Sequence, residues 1–194
     1  MSGIGETYER AVKILRLDEE SITQAKNAPF TSVLIVLATL TIIAAITKWI
    51  ETGSLSSSLI NLVTNFIVFL IMLGFFSGLI WIVAKLVGGR GGYADQTKAI
   101  GHAMLILTLP LISGALALFD LTHPALTLLG ALFFATGIWF LIAQVQNVKK
   151  IHQFGTGKAV ASVLIPVILV SLLLFLFITT FLMFFFFITN SLMF

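Results

Sequence analysis

Five apolar blocks in this chain are joined by connections that alternate between basic and nearly uncharged, and this alternation constrains the fold more than any motif does. The blocks cover roughly residues 30–49, 59–87, 99–119, 124–146 and 159–189. A helix needs ~20 mostly apolar residues to cross ~30 Å of hydrocarbon, and each block supplies about that length or more. Four basic residues precede the first block (Arg10, Lys13, Arg16, Lys26), three flank the second connection (Lys85, Arg90, Lys98) and three occupy the fourth (Lys149, Lys150, Lys158). On the other face stands only Lys48, close to Glu51. Under the positive-inside rule this predicts a cytoplasmic N-terminus, an external C-terminus and an odd number of spans.

Composition supports lipid as the solvent. Hydrophobic residues make up 59% of the chain and charged ones 10%, with a mean hydropathy of +1.11, against ~25% charged in a soluble domain. Unpaired backbone groups in hydrocarbon cost several kcal/mol each, so apolar blocks without strand alternation must be helical. The expected fold is all-α: a polytopic membrane protein of five transmembrane helices over 29–194, preceded by a cytoplasmic amphipathic segment over 1–28. In that segment Ile4, Tyr8, Ala11, Val12 and Leu15 recur at helical spacing, which predicts a helix lying in the membrane interface. Asp18 is placed to cap a second short helix. Pro110 and Pro166 fall inside the third and fifth blocks and predict kinks. The absence of cysteine excludes disulfides and thiolate metal sites.

Few residues carry a chemical signal. The cluster from Gly88 to Gly92 reads as a flexible turn, since a dinucleotide-binding loop would need a preceding strand. Gly155-Thr156-Gly157-Lys158 lacks the earlier glycine and following Ser or Thr of a phosphate-binding loop; Thr156 is better placed as a helix cap. His102, inside the third block, is a candidate intramembrane polar residue, with Gln144 its expected hydrogen-bond partner. His102, His152 and Asp95 lack the tight local spacing of a zinc motif. Asn61 and Asn65 share a face of the second helix and suit interhelical hydrogen bonding. Gly74 with Gly78, and Ala131 with Ala135, form small-xxx-small pairs suited to close helix contact. Arg90, Lys98, Lys149, Lys150 and Lys158 are the candidate cytoplasmic contacts to headgroups or partners. Phe184 to Phe187 make the last helix apolar on every face, as suits one surrounded by lipid.

Two passages resemble the Yip1 domain family: Lys85-Leu86-Val87-Gly88-Gly89-Arg90-Gly91-Gly92-Tyr93 through Gly101 and Pro110, and Val148-Lys149-Lys150-Ile151-His152 through Gly155, Gly157, Lys158 and Ala159. The resemblance implies five spans with a cytoplasmic N-terminus. It also implies association with other membrane proteins, which in eukaryotic members include lipidated Rab GTPases. Gly101-His102 stands where a Gly-Tyr pair is expected in many relatives, and the stretch before the first block lacks the Pro/Gly/Gln-rich composition of eukaryotic members. The expectation is therefore a prokaryotic member in the cytoplasmic membrane.

The functional expectation is a non-enzymatic integral membrane scaffold or adaptor that self-associates or binds another membrane protein and lipid, with no cofactor, no metal and no nucleic acid. The alternative is a passive channel or small-solute carrier with a polar path near Asn61, Asn65 and His102. No acidic or basic residue lies at the centre of a block, which disfavours ion-coupled transport.

Overall fold

The computed structural model describes residues 3–117 and 123–191, with side chains placed outside 113–126 and 186–194. Every regular element among these residues is helical. Two short helices, α1 (Ile4–Leu15) and α2 (Glu19–Asn27), precede α3 (Phe30–Thr52) and α4 (Leu55–Leu86). Then come α5 (Tyr93–Ala103), a 3₁₀ turn (Met104–Leu107), α6 (Thr108–Ala117), α7 (His123–His152) and α8 (Thr156–Ser191). Four of them, α3, α4, α7 and α8, are long and apolar enough to cross a bilayer.

Local chemistry sets the ends. Asp18 accepts the Ser21 N–H at 3.0 Å and caps α2. Gly53 ends α3 in the left-handed region at φ +64, its N–H bonded to Trp49 O at 2.8 Å. Ser54 then accepts the Ser57 N–H to open α4. Thr156 is the first residue of α8 rather than its cap, and the Ala159 N–H bonds to Gly155 O.

The third block differs from a simple span. Its helix begins at Tyr93, not Ala99, and gives way to the 3₁₀ turn between Met104 and Leu107. Pro110 explains the position of the break. Its ring opposes the carbonyl of residue 106 and offers it no N–H, so regular α geometry fails one turn upstream and resumes with Pro110 in the first turn of α6. The outer end of this block, from 118, and the connection containing Asp120 lie outside the described residues. In α8, by contrast, the helix continues through Pro166.

The core sits at the basic end of the bundle. Val33, Val36, Leu37 and Leu40 of α3 pack with Leu73, Ile80 and Ala84 of α4, Ile100, Met104, Val148 and Val163. A second cluster joins Ile14, Ile22 and Ala25 of the N-terminal helices to Ala99, Ala103 and Ile151. Thus α1 and α2 dock on the chain's own helices: Thr7, Ala11 and Ile14 are buried, whereas Ile4 and Val12 of the predicted interfacial stripe remain exposed. Between these layers α5 is enclosed, with Gln96, Thr97 and every residue from Ala99 to Met104 buried.

Candidate functional site: the polar, basic end of the bundle

A helix leaves its last carbonyls without intrahelical donors, and three helices here receive those donors from distant side chains. Trp139 of α7 donates its indole N–H to Leu15 O at the end of α1, at 2.8 Å. Lys98 of α5 reaches Lys26 O in the last turn of α2 at 3.1 Å. Lys158 of α8 reaches Val87 O at the end of α4 at 3.0 Å. Each ammonium also lies at the negative end of a helix dipole. Lys150 pairs with Glu19 at 2.7 Å, tying α7 to α2. The hydrogen bond and charge of Lys150 hold the Glu19 carboxyl below its ordinary 4.5.

The glycine turn is packed rather than loose. Gly88 adopts φ +93. A Cβ on Gly89 would lie 2.5 Å from His152 Nδ1 and 2.8 Å from Ala84 O, and one on Gly91 would lie 2.5 Å from Ile151 Cγ2. These glycines let the turn press on the end of α7, where the Arg90 N–H meets His152 O at 3.4 Å and the His152 ring stacks on Phe154. Trp81 donates to Gly91 O at 3.3 Å. The Arg90 side chain itself is exposed.

Buried polar groups collect beneath this surface. His102 is fully buried, and its Nδ1–H donates to Lys98 O at 2.7 Å, one turn back on its own helix. This replaces the expected His102–Gln144 pair: Gln144 is buried, but both amide atoms lack a partner among the described residues. Asn147, one turn along α7, donates to Ala99 O at 3.4 Å. Its Oδ1, His102 Nε2, both amide atoms of Gln96 and both ring nitrogens of His152 are likewise buried without a partner among the described residues. Sequence reasoning found His102 and Gln144 but missed Gln96 and Asn147. The i, i+3 spacing of Gln144 and Asn147 is the signal that placed them on one face.

The other candidates lie apart. Asn65 donates to Asn61 at 2.8 Å, so the two amides pair along α4 instead of reaching another helix. Gly74 and Gly78 lie under the Tyr93 ring, whose hydroxyl donates to Gly74 O at 3.0 Å. Ala131 and Ala135 are exposed on the outer half of α7, where Thr136 is the buried residue between 127 and 139. Phe184 and Phe185 are exposed, and the side chains of the next two phenylalanines lie outside the described set.

Among the described residues no three His, Asp or Glu side chains are grouped closely enough to hold a metal ion. The site is therefore one of packing, charge and buried amides. The sequence profile of the Yip1 domain matches residues 20–190, from the start of α2 almost to the end of α8. The chain belongs to the Yip1 domain family. No curated protein and no solved structure matches it. In this Yip1 domain the two passages that carry the resemblance meet in space, because Gly89 and Gly91 pack on Ile151 and His152. Membership and four long apolar helices make the chain a membrane protein, within a family of non-catalytic membrane proteins.

Proposed function

We propose that this Yip1 domain is a non-enzymatic membrane scaffold that crosses the bilayer five times, with its basic end in the cytoplasm of a prokaryotic cell and its C-terminus outside. In this reading α5, the 3₁₀ turn and α6 form the third crossing, and α1 lies at headgroup depth with Ile4 and Val12 outward. The observation that carries the scaffold reading is a contrast between helices. Of the most apolar stretch of α3, 39% is buried within the chain, against 17% in each of α4, α7 and α8. The latter three therefore present long apolar surfaces to lipid or to another membrane protein, while three helix ends at the polar end are closed by the chain's own side chains. The carrier reading has less support, since the amides of Asn61 and Asn65 face each other and the cavity beside Gln144 at membrane depth has otherwise apolar walls.

Association through the outer half of α7 is tested by Ala131→Leu with Ala135→Leu. Both residues are exposed, so the fold should survive. Recovery of a second copy or a membrane partner in mild detergent should fall about tenfold, the effect of ~1–2 kcal/mol of helix contact. Unchanged recovery would remove this face from the proposal.

A further inference from the structure

An open groove of about 430 Å³ lies between α2 and the basic end of α7. Lys26, Lys149 and Lys150 stand on it together with Thr23 and Gln146, and the buried Ile22 and Ile151 supply apolar wall. We propose that this groove binds the phosphate and glycerol of an anionic phospholipid.

The charges differ in availability. Lys150 is engaged by Glu19 at 2.7 Å, and Lys26 is shared with Asp95 at 3.6 Å. Lys149 has no hydrogen bond or ion pair among the described residues. The Thr23 hydroxyl is already given to Glu19 O at 3.2 Å. The anion-binding chemistry of the groove therefore rests on three ammonium groups against the one carboxylate of Glu19, with Lys149 in no direct contact with it. This excess of cations suits a phosphodiester.

Depth selects a lipid over a soluble anion. At 30 residues α7 is about 45 Å long, well beyond the ~30 Å of hydrocarbon. Its last two turns, which line the groove, follow the apolar stretch and contain Gln146, Asn147, Lys149 and Lys150, so they belong at headgroup level. The open groove, about 430 Å³, has room for a glycerophosphate with a small polar substituent as well as for a bare phosphate. The partly exposed Phe154 ring on the groove suits the start of the acyl chains.

The test is native mass spectrometry of the full chain in mild detergent, titrated with phosphatidylglycerol or phosphatidylcholine. The intact chain should retain phosphatidylglycerol preferentially. Lys149→Gln should reduce that retention about fivefold, the share of one interfacial lysine. Glu19→Gln should increase it, because removing the carboxylate frees Lys150 and lifts an opposing charge from the groove. Lys13→Gln makes the same charge change at a residue paired with Glu9 on α1 and should leave retention unaltered. The opposite directions at Lys149 and Glu19 separate anion binding from any loss of fold. Equal effects of Lys149→Gln and Lys13→Gln would overturn the site, as would a decrease with Glu19→Gln. Displacement of phosphatidylglycerol by millimolar glycerol phosphate would instead assign the groove to a soluble phosphate and overturn the lipid. None of these outcomes depends on the scaffold reading, which is decided by recovery of a protein partner.

Discussion

At residue scale, space rather than chain flexibility accounts for the glycines at the basic end. Gly89 and Gly91 face side-chain and backbone atoms of the end of α7, and a Cβ on Gly101 would overlap Val33 Cγ1. Gly155 and Gly157 have nothing within 4 Å. Gly89→Ala should therefore lower stability by about 1–3 kcal/mol, the range of overpacking in a closed site. Gly155→Ala should change it little, and thermal unfolding in detergent separates the two. The same reasoning alters the meaning of the Gly74 and Gly78 pair. Leucine at either position would drive into the Tyr93 ring, so its effect on association would be confounded with damage to the chain's own packing, whereas Ala131 and Ala135 are free of that difficulty.

At the scale of elements, the N-terminal helices are fastened by both apolar and ionic contacts. Ile22 and Ala25 of α2 are buried, and Glu19 reaches Lys150. Because the Glu19 carboxyl titrates below its ordinary 4.5 in the folded chain, its contribution is complete above that value and is lost as pH falls through the lowered one. The difference in melting temperature between the native chain and Glu19→Gln should be largest at neutral pH and vanish as pH drops well below 4.5. A difference that persists in acid would mean that the ion pair is not what Glu19 contributes. The position of these helices was only half legible in the sequence. Amphipathic spacing gives a helix with an apolar edge, but it cannot tell whether lipid or α5 covers that edge; burial of Ala11 and Ile14 against the chain itself decides it.

For the whole molecule, the proposed five-crossing arrangement puts the two ends of the chain on opposite sides of the membrane. The absence of cysteine makes this direct to test: a single Asn190→Cys should be labelled by an impermeant thiol reagent from the outside of intact cells. Labelling only after the cytoplasm is opened would return the C-terminus to the basic side and exclude an odd number of spans.

Much of the architecture followed from the sequence. Five apolar blocks, the proline that breaks the third, Asp18 as a cap and the gathering of lysines in alternate connections are all visible in it, because transfer into lipid, proline sterics and capping act over a few neighbouring residues. The tertiary structure decided what the lysines and buried amides do. Lys98 and Lys158 look like headgroup contacts in sequence, yet they close helix ends 72 and 71 residues away, and Trp139 closes one 124 residues away. His102 turned to its own helix, and the Gln144 amide has no partner among the described residues. Such pairings depend on which helix end comes to rest beside which donor, and that is fixed only when the helices pack.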